Sequence, residues 1–376
     1  ASIAFNLAKS GVTKVVVLEK NTICSGATGR SSACIRQHYS TEITARMVHR
    51  SLAVFENFDD LVGGSAGFVR TGYLMGVPER NLDALKKVLA MQRKVGIKTQ
   101  LVSPSEIKAI EPRVRTDDFA GGAWEPDSGY ADPSDTTASF LRRARELGVE
   151  VRQGAEVVGL GLEAGRVAEV RTPSEKFLTN TVVDAAGAWG DRVARLVGVE
   201  IDLTVCRHNI CFVKRPDTAS ARHAMFYDFV KQIYTRPEGR DLTLVGSLDP
   251  VEVADVVDPD RYDHGISYDK TVEMTGQVTH RFPPFEAGSF HSGYSGFFDV
   301  TPDWHPILDV VPHVSGFYLA VGFSGHGFKL APAVGEMVCS LIMNGKAPDS
   351  DIAAFGFSRF AENNPIVGMY DGGLMG

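Results

Sequence analysis

The chain has 376 residues, of which 44% are hydrophobic and 23% charged, with a formal net charge of -7. That length predicts two domains rather than one core, and the acidic balance excludes broad nucleic-acid binding, which needs concentrated Lys and Arg. No apolar run approaches the roughly 20 residues of a membrane span, and the 5 cysteines (Cys24, Cys34, Cys206, Cys211, Cys339) carry no paired CxxC spacing. They read as reduced thiols, with no signal peptide in view, so the expected compartment is cytoplasmic.

The opening ASIAFNLAKSG reads as a helix over Ala1–Ser10 that stops at Gly11, followed by a short apolar strand, Val15–Leu18, ending at Glu19. This is the back half of a dinucleotide-type βαβ unit, without its first strand and glycine turn. NTICSGATGRSSACIRQHYS then reads as an irregular loop. A helix follows, with Ala45, Val48, Leu52, Phe55 and Phe58 at helical spacing. Phe68–Val77 is a strand candidate, and NLDALKKVLAMQRKVG a helix closing at Gly96. Asp132-Pro133 opens another helix that ends at Gly148, with Asp or Ser as N-cap. Strands are expected at Val149–Arg152, Ala155–Leu162 and Val167–Thr172, the last two joined by a tight turn over Glu163–Arg166. An apolar strand, a small-residue turn at Ala185-Ala186-Gly187 and a helix come next.

Alternation of this kind argues for a parallel α/β sheet. From about Cys206 to Val300, short β-like runs such as Ile210–Val213 and Leu242–Val245 alternate with Pro- and Asp-rich loops, the pattern of a mostly antiparallel domain. The α/β pattern resumes with FYLAVGF, the glycine turn SGHGF and a helix from about Pro332 to Met343. The expected organisation is a discontinuous α/β domain (1–66, 131–203 and 304–376) into which a second domain (67–130 and 204–303) is inserted.

Three stretches carry chemistry. Glu19 stands where dinucleotide folds place an acidic residue on the adenosine ribose; a surface Glu after any buried strand looks the same. Gly26, Gly29, Ser31 and Ser32 offer N–H and hydroxyl groups to a pyrophosphate, and Arg30 adds charge. In VGFSGHGFKLAPAVGE, Gly322, Gly325 and Gly327 would let backbone approach a planar ligand, the helix start favours an anionic group, and Lys329 adds a cation. Each also fits a plain solvated glycine turn.

Together, ASIAFNLAKSG with Glu19, GATGRSSACIR, YADPSDTTASFLRRARELGVEV, VVDAAGAW and GFSGHGFKLAPAVGE resemble the FAD-dependent amino-acid oxidoreductases of the D-amino-acid-oxidase superfamily, in the sarcosine-oxidase-like branch. The likeness extends to the sarcosine oxidase beta subunit and the L-proline dehydrogenase beta subunit. It implies a Rossmann-like FAD domain with a parallel sheet plus an inserted, mostly antiparallel substrate domain. Against that family the sequence lacks the N-terminal strand and GxGxxG turn. The resemblance puts Glu19 and Lys20 at the adenosine end, Gly26, Ala27, Arg30, Ser31 and Ser32 along pyrophosphate and flavin, and Val157 and Gly187 beside the dinucleotide. Gly325, His326, Gly327, Phe328 and Lys329 would edge the flavin. Arg36, in Arg36-Gln37-His38-Tyr39, and Lys329 would clamp a substrate carboxylate, with His38, Tyr39 or His326 assisting amine deprotonation.

Two positions depart from the pattern. Gly296 stands where monomeric sarcosine oxidases carry a flavin-linking cysteine, so FAD is expected to be non-covalent, with no metal. Thr243 stands, on a loose pairing of DLTLVGS, where oxidases hold an oxygen-activating lysine, which leans toward a dehydrogenase. The expected activity is oxidation of a secondary or N-methyl amino acid, sarcosine- or proline-like, to an imine. A glycine or D-amino-acid oxidising enzyme and a non-catalytic flavin-fold subunit or assembly factor are the alternatives. Beyond a small-molecule substrate, both homo- and hetero-oligomers stay open.

Overall fold

The computed structural model describes residues 1–345 and 351–370. Its α/β part holds two separate parallel pairs. Val16–Glu19 runs beside Glu150–Gln153, with Val17 opposite Val151. Val182–Asp184 runs beside Phe317–Val321, whose other edge pairs antiparallel with Ile307–Val310. The expected α/β pattern is therefore present as two short ladders rather than one continuous sheet. The strands expected over 155–172 form a third, antiparallel ladder of Gly159–Glu163, Arg166–Arg171 and Lys176–Leu178. Its tight turn has Ala164 at φ 48 and Gly165 at φ 77, the double left-handed geometry whose twist matches the flanking strands.

Helices Ser2–Lys9, Glu42–Glu56 and Pro133–Glu146 meet through Phe5, Ala8, Leu52, Phe55, Phe140 and Ala144. The N-cap of the third is Asp132, which accepts from the N–H groups of Ser134 and Asp135 at 2.8 Å each and so satisfies two otherwise orphan donors. The last helix spans Gly327–Asn344 and starts upstream of the expected Pro332. Proline inside a helix removes an N–H and crowds the preceding turn. Ser51 of the neighbouring helix ties down the same turn, donating to the Leu330 carbonyl at 3.4 Å and accepting from the Ala333 N–H at 3.2 Å.

The second part is a sheet of eight strands. In order across the sheet they are Ser289–Val300, Thr204–Lys214, Leu242–Ser247, Ile233–Glu238, Met225–Asp228, Tyr73–Val77, Gly121–Glu125 and Gln100–Val102. All neighbours are antiparallel except Met225–Asp228 beside Tyr73–Val77, the parallel join between the strands within 73–125 and those within 204–300. The strand expected over 68–77 breaks at Gly72 into Val69–Arg70 and Tyr73–Val77. Because side chains alternate across a strand, Leu74, Phe226, Ile233 and Val245 pack under the helix Tyr268–Arg281. Tyr73, Tyr227, Tyr234 and Leu244 take the opposite face.

Arg281 locks that helix to the sheet. Fully buried, it donates to Asp228 Oδ2 at 2.6 Å and to Asp118 at 2.7 and 2.8 Å, and lies 3.9 Å over the Phe119 ring. The other oxygen of Asp228 accepts the N–H groups of Val230 and Lys231 at 2.8 Å, so this carboxylate fixes the end of the strand that carries Tyr227. Breaking a buried pair from one side costs about 3–5 kcal/mol. Asp228→Ala should lose a stability of that order in urea unfolding, whereas Asp83→Ala, in an exposed pair, should lose well under 1 kcal/mol, as surface pairs do.

Candidate active site

Between the two parts lies a cavity of ≈ 330 Å³. One wall comes from loop and helix starts: Ser2, Ala27, Arg30, Ser31, Ser32, Gly187 and the run Gly325–Lys329. The facing wall comes from the large sheet and includes His208, Tyr227, Tyr234, Gly296 and Phe298. Arg36, just beyond the short strand Cys34–Ile35, reaches the same cavity.

Arg36 is 2% exposed. Its guanidinium carbon sits 4.3 Å from the centre of the Tyr39 ring and 5.6 Å from that of Tyr227, and Nη1 donates to the His38 carbonyl. Its Nε has no partner among the described residues. Burial opposes its charge, but Tyr39, Tyr227, Tyr73 and Glu125 more than offset this and hold the proton more firmly than usual. Lys329, in the first turn of its helix, is 7% exposed and makes no hydrogen bond or ion pair among the described residues. Burial first, then the Arg36 charge, pushes its ammonium down to about 7. Two cationic side chains thus share one cavity, and among the described residues Lys329 has no anion paired with it.

The other three candidates stand round this pair. His326 lines the cavity, with Nδ1 2.9 Å from Tyr39 Oη and Nε2 unpartnered among the described residues. Burial, then Lys329, Arg36 and His305, hold it well below the usual imidazole range, so it is neutral. Burial pushes Tyr39 up to about 12. His38 lies behind Arg36, off the cavity wall, with Nε2 2.9 Å from Tyr370 Oη and Nδ1 3.6 Å from Glu125 Oε1. It braces the arginine rather than facing the space a substrate would fill.

Of the residues assigned to a cofactor, Ala27, Arg30, Ser31, Ser32, Gly187, Gly325, Gly327, Phe328 and Lys329 are on the wall. Arg30 turns back to donate to the carbonyls of Ser25 and Gly26. Ser31 Oγ accepts the Ala33 N–H at 3.0 Å. Gly26 faces the Trp189 ring, 3.7 Å from where a Cβ would stand. Glu19, Lys20 and Val157 lie off the cavity wall. Glu19 accepts the Asn21 N–H at 2.8 Å. Lys20 is held by Asp260 at 2.9 Å and Glu156 at 3.0 Å, and Val157 packs against the same apolar cluster as Leu18. Thr243 is not on the wall either: it is fully buried, bonded to Arg215 at 3.1 Å and His223 at 2.9 Å. The cavity end of its strand is Ser247, followed by Leu248.

Sequence reasoning missed His208, Tyr227, Tyr234 and Asp299. Tyr227 and Tyr234 follow from strand alternation once the register is known, while His208 sits in no motif. Asp299 accepts the N–H groups of Gly322 and Phe323 at 3.0 and 3.2 Å and so shapes the glycine turn. Burial pushes its carboxyl up to about 6.

The family of FAD-dependent oxidoreductases known as DAO matches residues 1–341. The chain belongs to this family. Mouse (Mus musculus) mitochondrial sarcosine dehydrogenase is 26% identical over 367 residues, covering 95% of this chain and 40% of that protein. Rat (Rattus norvegicus) mitochondrial dimethylglycine dehydrogenase is 25% identical, covering 92% and 42%. The chain thus spans about two fifths of these relatives' length. The crystal structure of L-proline dehydrogenase from P. horikoshii superposes with a TM-score of 0.89 at 28% identity, covering 97% of this chain and 96% of that one. Glycine oxidase from Geobacillus kaustophilus, at 23% identity and a TM-score of 0.81, shares the fold.

The residues present fit the cofactor of this family. Gly187, at φ +55, has nothing within 4 Å of the point where a Cβ would project, so bare backbone meets the cavity. The start of the Gly327–Asn344 helix adds free N–H groups and the positive end of its dipole, which favour an anionic ligand.

The Lys329 environment predicts a pH signature. A lysine depressed from 10.5 to about 7 destabilises the fold in full below pH 7. As pH rises through that window the unfolded chain binds the extra proton, so stability climbs. In the cofactor-free protein, the unfolding free energy of wild type relative to Lys329→Met should therefore rise from pH 7 to 10.5. A flat difference in denaturant titrations across that range would refute the assignment.

Proposed function

We propose that the chain oxidises the C–N bond of a secondary or N-methyl amino acid, sarcosine- or proline-like, to an imine. The observation that carries this reading is the pair of buried cations in one cavity. Uncompensated buried charge is costly, and a ligand carboxylate would relieve it. A guanidinium binds a carboxylate through two parallel hydrogen bonds, and an ammonium adds a point charge. Arg36 and Lys329 would take that carboxylate from two directions and so fix the rest of the amino acid, converting a bimolecular encounter into an oriented one.

Bound FAD supplies the two-electron acceptor. Ala27, Arg30, Ser31, Ser32, Gly187 and the helix start at Gly327 would hold it, without a covalent link, since Gly296 offers no side chain. Phe298, Phe323 and Phe328 line the cavity and keep water from it. His326, neutral and bonded to Tyr39, adds no third charge beside the carboxylate. Two of the relatives bear names, sarcosine dehydrogenase and L-proline dehydrogenase, that match the proposed substrate class. A pure scaffold would have no use for two cations facing one cavity, which supports the catalytic reading over an assembly role.

Hydrogen bonds to charged groups contribute about 1.5–3 kcal/mol, so Arg36→Ala should raise KM for the amine roughly 10- to 150-fold. Arg36→Lys should fall between wild type and Ala, because it keeps the charge but loses the fork. Steady-state kinetics with sarcosine and L-proline provide the measurement. An unchanged KM and kcat in Arg36→Ala would contradict the carboxylate site.

A further inference from the structure

Arg36 is aimed by the backbone around it, and side chains from rigid elements hold that backbone. The Gln37 N–H donates to Glu125 Oε2 at 2.9 Å, and Gln37 Oε1 meets His49 Nδ1 at 2.8 Å. Gln92 donates to the carbonyls of Gln37 and Tyr39 at 3.4 and 3.3 Å. His49, Gln92 and Glu125 stand in the helices Glu42–Glu56 and Glu79–Val95 and the strand Gly121–Glu125. One further holder belongs to no such element. It is Tyr370, whose Oη lies 2.9 Å from His38 Nε2.

Tyr370 arrives on an irregular tail. Residues 361–370 form no helix or strand, and of these ten Tyr370 alone is buried. Asp303 pins the start of this run, accepting from Arg359 at 2.8 and 2.9 Å and from the Ile366 N–H at 3.0 Å. Val367 and Met369, beside the tyrosine, stay 78% and 42% exposed. The Tyr370 ring packs edge-on against Phe229 at 5.4 Å and lies 5.9 Å from the His38 ring. Ordering an irregular segment costs backbone entropy, and a segment with few buried contacts opens at low free energy. Beyond Ile366, one buried ring and its hydroxyl hold the tail down among the described residues.

The hydroxyl fixes His38. Burial holds this imidazole below its usual range in spite of Glu125, so the ring is neutral, with one N–H and one lone pair. Burial, then Glu125, push the Tyr370 phenol well above its usual value against the effect of Arg36, so it keeps its proton. His38 Nδ1 and Glu125 Oε1 stand 3.6 Å apart, both buried and without a hydrogen-bond partner among the described residues. A lone pair on Nδ1 would set two acceptors against each other, so the proton belongs on Nδ1 and Tyr370 donates to Nε2. The ring is thus held from its far end, and the carbonyl of the same residue accepts Arg36 Nη1. That leaves Arg36 Nε, without a partner among the described residues, for a ligand.

We propose that Tyr370 is a positioning residue for Arg36, and that docking of the tail sets how tightly the cavity holds a carboxylate. With the tail released, the His38 ring loses its one hydrogen-bond partner among the described residues. Arg36 then loses a fixed acceptor, and the cavity keeps the charge but not the geometry. Where affinity belongs to the docked state, apparent affinity falls with the fraction docked. The coupling is reciprocal: whatever factor docking adds to carboxylate affinity, a bound carboxylate adds to docking. The proposal rests on the carboxylate reading above and adds to it a residue that does not line the cavity.

The test uses the FAD-loaded protein and cyclopentanecarboxylate, which has the five-membered ring and carboxylate of proline but no amine to oxidise. Calorimetry gives its Kd in wild type, Tyr370→Phe and Tyr370→Ala. Tyr370→Phe keeps the ring and loses one hydrogen bond, so binding should weaken roughly 2- to 12-fold, and Tyr370→Ala should weaken it further. With sarcosine or L-proline the change should fall on KM rather than on the limiting rate of anaerobic flavin reduction. Hydrogen exchange of the 361–370 amides should slow in wild type when cyclopentanecarboxylate is added, and Tyr370→Ala should lose most of that response. A Kd equal in all three proteins, or exchange over 361–370 that ignores the carboxylate, would overturn the proposal and leave the carboxylate site standing. No binding to wild type would refute the carboxylate site itself, and the proposal with it. Should neither amine bleach the flavin, the proposed substrate class fails, while the Kd values and the exchange still decide the tail.

Discussion

A guanidinium and an ammonium side chain buried on one cavity wall set the terms for the rest of this molecule. Removing a charge from water costs several kcal/mol unless partners replace the lost hydration. For Arg36 the partners are the faces of Tyr39 and Tyr227, the His38 carbonyl and the nearby Glu125. Glu125, itself fully buried, is held by the Gln37 N–H at 2.9 Å and the Ser128 hydroxyl at 2.8 Å. Lys329 has no such shell, and its proton affinity falls accordingly. The imbalance stores a preference for an anion at one defined place. A recognition site for a carboxylate or for the reduced, anionic face of a flavin needs that preference.

The scaffold exists to hold the two halves of that wall in register. Lys329 sits in the first turn of a helix that Ser51 tethers on either side of Pro332, at the Leu330 carbonyl and the Ala333 N–H. Tyr227 depends on Asp228, whose carboxylate ends the strand and anchors Arg281. Asp299 ties the glycine turn to the long edge strand of the sheet. Each is a buried polar contact between elements distant in sequence. Contacts of this kind confer a single geometry, because leaving one unmade costs its full desolvation penalty.

What the sequence made legible follows from locality. Helix caps, the Ala164-Gly165 hairpin and the glycine turn before Lys329 are short-range patterns whose residues meet their partners within a few positions. Arg36 and Lys329 were reachable because both sit in recognisable segments. His208, Tyr227 and Tyr234 were not, since each owes its place to strand pairings across the large sheet. His208, for example, sits opposite Gly296. Nothing local to RHNI distinguishes a cavity histidine from a packed one. Thr243, likewise, is placed by strand pairing in a buried cluster with Arg215 and His223 and not on the cavity wall. The break of the expected strand at Gly72, and of the parallel sheet into two ladders, likewise reflects pairing partners rather than propensity.

The most direct test of the central claim compares amines that differ only in the carboxylate: L-proline against pyrrolidine, and sarcosine against dimethylamine, each added anaerobically to the FAD-loaded protein. If Arg36 and Lys329 form a carboxylate site, the visible flavin band bleaches with at least one amino acid, while its carboxylate-free partner reduces it orders of magnitude more slowly. Equal bleaching by pyrrolidine and proline, or by dimethylamine and sarcosine, would show that the buried cations serve something other than the substrate.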